Sequence, residues 1–362
     1  MIISQNSFFD KEIKSIIEAI YTKNSCDACN EMGKYINSEI NMEEWNKISD
    51  YLHQIKEIYL PEKLLPDDFP KDKLFFLSDL FAKEWNVLNQ NLNKNEIDCI
   101  LKAFFDDFDD KIKYGNRLIV DKDYLKEHAL LGEYHWSDFV ESLKHKNRFH
   151  SNFLNKEVLE KYCRCFENYI SENKTYLRGR IAKNAEGLSK KELEAPPEEL
   201  ATAGRANSEG ISRLYLADSL DTVLKEVRAG VFDYVSIAEF RAKRKIRLVD
   251  FSALDEYSPF AIGMNMQDLD LNRLDLENIN KELGKPMRRS DSLLDYVPTQ
   301  FLIDFIESIV DKKSEQRLYD GVMYKSVMNP GGINLVIFDS SIFEQQEKII
   351  TIRISSVTYH KE

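Results

Sequence analysis

Apolar residues in the first half of the chain recur at intervals of three and four positions, the spacing that forms one buried face of a helix. The clearest runs extend over Ile13–Ile20, Ile48–Tyr59 and Ile97–Phe104. The segment of residues 60–73 contains three prolines, which lack the backbone N–H that a helix interior needs. We therefore predict several antiparallel helices, two of them separated by a connecting loop in this segment.

The second half shows a different pattern, with short runs of β-branched and aromatic residues bounded by turn residues. Residues 299–310 return to helical spacing after the helix breaker Pro298. Ten of the thirteen glycines lie at or beyond Gly179, so the architecture changes near residue 174. We predict an all-α domain over residues 1–174 and an α+β domain with a mixed or antiparallel sheet over residues 175–362. The predicted strands cover residues 175–183, 211–217, 233–240, 244–251, 321–326, 333–339 and 348–357.

Composition limits the class of protein and its partners. The chain has 362 residues, 43% of them hydrophobic, and can bury one large core or two ordinary ones. A net charge of −12 disfavours a protein that coats a phosphate backbone, although a local basic cleft can still hold a small anion. There is no run of eighteen apolar residues, no secretory signal pattern, and too few cysteines for a disulfide framework. We expect a cytoplasmic protein whose partners are neither nucleic acid nor membrane.

Common catalytic and metal-binding motifs are missing from the sequence. It contains no GxxxxGK[ST] loop, HExxH, GxSxG or GxGxxG pattern. Cys26 and Cys29 form one CxxC pair, but no second pair of cysteines or histidines follows at short spacing to complete four zinc ligands. We therefore predict no bound metal.

Polar residues at unusual positions indicate candidate chemistry. Glu226 borders the apolar stripe of a helix predicted after residue 218, where its carboxylate would be partly desolvated; alternatively it pairs with Lys225 or Arg228. Arg205 follows a glycine in a turn, a setting in which a guanidinium can bind phosphate.

Two arginines and a serine are further candidates. Arg178 and Arg180 lie two apart on a predicted strand, so they face the same side and could hold an anion between them, or they are separately hydrated. Ser326 follows another strand, where a serine is commonly a strand end or a cap.

Taken in order, five blocks resemble the RES-domain family, which is named for its arginine, glutamate and serine. They are "YLRGR", "APPEELATAGRANSEGISRLYLADSLDTVLKEVR", "YVPTQFLIDFI", "YDGVMYKS" and "GGINLVIFD", and they span about residues 175–340. The resemblance implies an ADP-ribosyltransferase-like fold and the breakdown of NAD, typically by bacterial toxins that use inorganic phosphate to displace nicotinamide.

The family residues carry over by motif, and either Arg178 or Arg180 can be the name-giving arginine. The resemblance implies that Glu226 accepts a hydrogen bond from a ribose hydroxyl and that the arginines hold the diphosphate. Ser326 would bond the carboxamide or orient Glu226. The predicted catalytic residues are Arg178, Arg180, Glu226 and Ser326, and the predicted NAD-binding residues are Arg205, Tyr215, Asn207 and Tyr324.

NAD is expected as the substrate, with no resident cofactor and with inorganic phosphate or water as the acceptor. Two alternatives are left open: transfer of ADP-ribose to a macromolecule, and a non-catalytic sensor that binds NAD or a related nucleotide. A protein that consumes NAD must be restrained in its own cell, so the resemblance also implies an antitoxin or immunity protein as partner.

The first domain resembles the HEPN-like helical region joined to some RES domains, through "HWSDFVESLKHKNRF" and "CDAC". Ser4 and Ser7 stand where that group has a further pair of thiols, and no arginine is followed by a histidine at the spacing of the HEPN ribonucleases. We expect a scaffold, regulatory or oligomerisation module, and a homo-oligomer formed through it is left open.

Overall fold

The computed structural model describes residues 1–20, 23–25, 32–116, 122–253, 258–260, 264–285 and 292–358. Cys26 and Cys29 of the CxxC pair lie outside these residues. The chain packs into two compact units, Met1–Ala129 with Glu256–Asn272, and Leu130–Asp255 with Arg273–Glu362. The packing of the chain sets these limits, whereas the bounds 1–174 and 175–362 rest on composition and stay a prediction.

The first unit contains both helices and strands. The periodicity of its apolar residues is confirmed in α1, α2 and α4, whose apolar faces are buried. The prediction of an all-α N-terminal domain is not confirmed, because two three-stranded sheets, in the orders β1-β3-β2 and β4-β6-β5, lie in this unit. Strands of two to six residues offer too few alternating positions to be found by pattern. Its described elements are β1 (Ile2–Ser4), α1 (Lys11–Ala19), β2 (Lys23–Ser25), β3 (Met32–Asn37), α2 (Met42–Lys56), β4 (Tyr59–Pro61), β5 (Phe75–Phe76), α3 (Leu77–Asp79), α4 (Lys94–Phe104), β6 (Lys113–Asn116) and α5 (Lys122–His128).

The second unit is built around an eight-stranded sheet in the order β14-β10-β8-β9-β13-β12-β11-β7. Strands β11 and β12 pair in parallel and the other described neighbours are antiparallel, so the predicted mixed sheet is confirmed. All seven predicted strands are present. The strands are β7 (Glu167–Ile170), β8 (Thr175–Ala182), β9 (Leu214–Ala217), β10 (Tyr234–Ala242), β11 (Ile246–Asp250), β12 (Gly321–Lys325), β13 (Ile333–Ile337) and β14 (Phe343–Arg353).

The chain outside the eight-stranded sheet contains six further α-helices in the described residues. Helix α11 begins before Pro298 and not after it, because a proline in the first helical turn needs no backbone N–H. No helix in the described part of the chain combines the length and the apolar character needed to cross a membrane. The helices are α6 (Trp136–His145), α7 (Lys156–Cys165), α8 (Lys190–Leu193), α9 (Leu220–Glu226), α10 (Met266–Gly284) and α11 (Val297–Ser308); α10 begins within the residues of the first unit.

The two faces of the sheet carry separate apolar cores. Leu214, Leu216 and Leu335 belong to the larger core on one face. Val223 of α9 packs with Ala217 and other residues on the opposite face. Because side chains alternate along a strand, Tyr215 and Asn334 lie on the same face as α9.

Strands β8 and β9 separate near the middle of the sheet. Among the described residues they share a single pair, Leu177 with Ala217, whereas β8 pairs with β10 along its whole length. Beyond that pair, the backbone N–H and C=O groups of β8 and β9 that face each other form no ladder of hydrogen bonds within the described residues. This gap positions the candidate site.

Candidate active site

Helix α9 places Glu226 at its last residue, beside the gap between the strands. Ser219 caps the helix by accepting a hydrogen bond from the Thr222 backbone N–H at 3.3 Å. Val223 packs directly onto β8 at Gly179, where a Cβ atom would lie far inside van der Waals contact with Val223 Cγ1. A glycine is therefore required for α9 to approach the sheet this closely.

Two buried side chains fix the carboxylate of Glu226. Ser326 Oγ donates to Glu226 Oε1 at 2.6 Å, and Asn334 Nδ2 donates to the same oxygen at 2.7 Å. Ser326 is 4% exposed and Asn334 7% exposed. Within the described residues, Glu226 Oε2 has no hydrogen-bond partner. The carboxylate is thus held through one oxygen and has the other available for a ligand.

The turn after β12 holds Ser326 in the orientation that serves Glu226. The Asn329 backbone N–H donates to Ser326 Oγ at 3.0 Å, which leaves the hydroxyl proton for the carboxylate. Asn329 Nδ2 donates to Thr222 Oγ1 of α9 at 2.9 Å, and Lys225 Nζ donates to Asn329 Oδ1 at 2.7 Å. The turn and the helix are therefore joined. In the described part of the chain Glu226 is bonded by Ser326 and Asn334 and forms no ion pair with Lys225 or Arg228.

A cavity of about 260 Å³ lies beside Glu226 and is lined by residues of β8, β9, β12 and β13 and by residues in and next to α9. Its polar wall combines a carboxylate, a guanidinium, two phenols and an amide, and its apolar wall comes from β8, β9 and α9. The lining residues are Leu177, Arg178, Gly179, Tyr215, Leu216, Ala217, Val223, Glu226, Val227, Tyr324 and Asn334.

Arg178 fills part of the gap between β8 and β9. Its Nη1 donates to the backbone oxygen of Tyr215 at 3.1 Å, a group that the open ladder leaves unpaired. Its Nε is buried without a hydrogen-bond partner in the described part of the chain. Burial and, to a smaller extent, the charge of the neighbouring Arg180 lower the pKa of Arg178 to about 10. A partly desolvated cation with an unused donor is suited to an anionic ligand.

The two tyrosines of the cavity are uncharged at neutral pH. Tyr215 donates to Asn207 Oδ1 at 2.6 Å and accepts from the Ala206 backbone N–H at 3.2 Å. Burial raises the pKa of Tyr215 to about 12, and it also raises the pKa of Tyr324. Asn207 Nδ2 donates to the backbone oxygens of Thr202 and Ser208 at 2.9 and 3.1 Å. Asn207 thus holds its own loop and reaches the cavity through Tyr215.

Four predicted site residues do not line the cavity. Ser326 and Asn207 bond residues that do, Glu226 and Tyr215, whereas Arg180 and Arg205 bond backbone oxygens elsewhere. Arg180 is exposed, and its Nη1 donates to the backbone oxygen of Glu192 at 2.8 Å. Arg205 Nη1 donates to the backbone oxygen of Glu282 at 2.8 Å, and its guanidinium lies 5.3 Å from the centre of the Tyr296 ring. The structure therefore brings together Arg178, Tyr215, Glu226, Tyr324 and Ser326, with Asn207 one hydrogen bond away.

Two residues of the site were missed in the sequence. Asn334 is a polar residue inside the apolar strand β13, a signal that could have identified it. Gln300 Nε2 donates to the backbone oxygens of Gly204 and Asn207 at 2.7 and 2.9 Å and so fixes the loop behind Tyr215. Nothing in the local sequence distinguishes Gln300 from any other polar residue on a helix.

A protein-family model described as the RES domain matches residues 180–360, half of the chain. The protein belongs to the RES domain family. Comparisons with curated proteins and with solved structures gave no match. The likeness to the ADP-ribosyltransferase fold and the HEPN-like character of the N-terminal part therefore stay predictions.

Proposed function

We propose that this protein consumes NAD by cleaving the bond between nicotinamide and ribose, with phosphate or water as the acceptor. The observation that carries the proposal is the carboxylate of Glu226. It is fixed through Oε1 by Ser326 and Asn334 and lines the same cavity as Arg178. The family of the chain supplies the substrate class, because RES domains act on NAD.

The arrangement suits a reaction that develops positive charge on the ribose. As the C1′–N bond breaks, its electron pair returns to the pyridinium nitrogen, so nicotinamide leaves as a neutral molecule and needs no acid. The ribose becomes cationic, and a hydrogen bond from a ribose hydroxyl to Glu226 Oε2 strengthens in the transition state. The acceptor oxygen then bonds C1′, and an attacking water loses its proton to solvent.

The size of the cavity indicates which part of NAD it would hold. Whole small-molecule ligands occupy pockets of roughly 300–1,000 Å³, and this cavity has about 260 Å³. We place the nicotinamide riboside end between Tyr215 and Tyr324, with the diphosphate toward Arg178. The adenosine end would then lie outside the cavity.

Nicotinamide release tests the proposal. Purified protein is incubated with NAD, with and without phosphate, and the products are separated by chromatography; ADP-ribose indicates water as acceptor and its 1″-phosphate indicates phosphate. Glu226→Gln should lower turnover by roughly 10² or more, because it removes the charge that acts in the transition state. Glu199→Gln removes an exposed carboxylate outside the cavity lining and serves as the control.

Two companion measurements separate the other functions. Labelled NAD incubated with lysate would label a macromolecule if the protein were a transferase. Binding without consumption over hours would indicate a sensor. Nicotinamide release that is equal in the wild type and in Glu226→Gln would remove Glu226 from the mechanism.

A neutralising partner is the second part of the proposal, motivated by the toxin-like character of the family. Co-expression with the products of neighbouring genes should restore growth that the protein alone inhibits. If the protein does not inhibit growth while it releases nicotinamide in vitro, this part of the proposal fails.

A further inference from the structure

Asn334 is the most unusual polar residue in the strands around the cavity. It lies in β13 among Ile333, Leu335 and Val336, and it is buried. A buried amide without a partner costs free energy, so a functional or structural bond is expected for it. That bond is the 2.7 Å contact from Nδ2 to Glu226 Oε1. The carboxylate also assigns the orientation of the amide, because Oδ1 in this position would repel Oε1.

The chemistry of the two donors to Glu226 is different. A hydroxyl such as that of Ser326 can donate or accept, whereas an amide N–H₂ can only donate. The Asn334 donor therefore obliges Oε1 to act as an acceptor, and any proton on Glu226 would have to be on Oε2.

The backbone of Asn334 is also fixed more firmly than that of Ser326. Asn334 pairs with Ala217 of β9 on one side and with Tyr324 of β12 on the other. Ser326 lies in a turn, where its backbone N–H donates to the Gly332 oxygen at 2.8 Å. The position of the Asn334 amide is thus determined by the sheet.

We propose that Asn334 is a positioning residue of the active site, which holds the carboxylate of Glu226 through Oε1 and leaves Oε2 to the ribose. This inference rests on the proposed function. It assigns to β13 a role that neither the family match nor the sequence motifs gave to it.

Arg178 and the two tyrosines of the cavity titrate outside the range in which a pair of carboxylates would. The pKa of Arg178 is lowered by burial to about 10, and that of Tyr215 is raised by burial to about 12. Burial also raises the pKa of Tyr324. The charge of Arg205 opposes this rise of the Tyr324 pKa. Lys225 Nζ donates to Asn329 Oδ1. A pH dependence between pH 5 and 8 that is present in a variant of Asn334 and absent from the wild type under the same conditions therefore reports on carboxylates.

Two substitutions of Asn334 test the role. Asn334→Ala should lower kcat roughly 10- to 100-fold with little change in KM, because a hydrogen bond to a charged group is lost. In Asn334→Asp, the two carboxylates would share one proton and the protonated form would replace the donor. This variant should keep activity at low pH and lose it as the pH rises. The pH profile of the wild type should lack this fall.

Asn168→Asp is the matched control. Asn168 Nδ2 donates to Asp250 Oδ2 at 2.7 Å on another strand of the same sheet, so the variant makes the same chemical change outside the cavity lining. It should keep the wild-type pH profile, whatever it does to the melting temperature. An Asn334→Asp profile equal to that of the wild type would overturn the proposal, as would a kcat unchanged in Asn334→Ala.

A second measurement needs no activity. In ¹⁵N-labelled protein, the side-chain amide signal of Asn334 is assigned by its loss in Asn334→Ala. It should move upfield in Glu226→Ala, because the bond to the carboxylate is removed. An unmoved signal would refute the Asn334 bond even in an active enzyme, whereas absent nicotinamide release with a moved signal would refute the proposed function alone.

Discussion

Gly179→Ala tests whether the contact between α9 and β8 sets the position of Glu226. The new Cβ would lie far inside contact with Val223 Cγ1, and Val235 Cγ1 at 3.4 Å and Ile237 Cγ1 at 3.7 Å close the other side. Carbon atoms prefer separations of about 3.5–4.0 Å, so the helix must move by roughly 1 Å or more. Overpacking of this kind costs about 1–3 kcal/mol.

The displacement should reach the active site because Glu226 follows Val223 by one helical turn. Its bonds to Ser326 and Asn334 measure 2.6 and 2.7 Å, and a shift of about 1 Å would break both. A misplacement of that size can cost roughly 10²-fold in rate. We therefore expect Gly179→Ala to lose most nicotinamide release while it remains folded.

Val223→Ala should rescue the variant, because it removes the atom that the new Cβ would strike. Alone it costs about 1–2 kcal/mol for the lost methyl groups. The loss in free energy of unfolding, measured with urea, should be smaller in the double variant than the sum of the losses in the two single variants, by on the order of 1–3 kcal/mol. Gly132→Ala is the control: its φ of +60° strains an alanine, but no atom lies within 4 Å of the new Cβ. Additive free energies, or full activity in Gly179→Ala, would refute the reasoning.

Three further variants probe single interactions. Ser326→Ala should lower kcat roughly 10-fold or more in the nicotinamide assay, since a hydrogen bond to a charge is lost; an unchanged kcat would contradict its role. Arg178→Met should raise KM for NAD roughly 10-fold or more, whereas Arg180→Met should not; equal effects would show that the cavity does not distinguish them. Burial raises the pKa of Asp275 from 3.8 to about 6. The free energy of unfolding therefore falls as the pH rises from 3.8 through 6, because the ionised carboxylate is disfavoured in the folded state. In urea unfolding, Asp275→Asn should raise the free energy of unfolding by on the order of 1 kcal/mol at pH 8 and leave it unchanged at pH 4.

The sequence predicted those parts of the fold that repeat over enough residues. Apolar spacing identified α1, α2 and α4, and alternation identified the seven strands of the second half. The short strands of the first unit escaped because alternation over a few residues carries little information. Strand order also could not be read, because β9 pairs with β13, more than a hundred residues away.

The types of residue in the candidate site could be predicted from the sequence, but the partners that their side chains reach could be predicted less well. Glu226 and Ser326 were named from motifs, and the structure places them in contact. Arg178 and Arg180 could not be separated, because their acceptors are distant backbone oxygens: Arg178 reaches Tyr215 and Arg180 reaches Glu192. Local sequence says nothing of such partners.

The gap between β8 and β9 has a consequence for how the second unit opens. By hydrogen bonding within the described residues, β14, β10 and β8 form one group of strands and the remaining five form another, joined by the single pair of Leu177 and Ala217. Few ladder hydrogen bonds therefore link the two groups, and cooperativity between them must pass mainly through the apolar cores on the two faces of the sheet, to one of which α9 contributes Val223. Hydrogen exchange should report two levels of protection in the free protein. A ligand in the cavity contacts both groups, so its binding should make their protection equal.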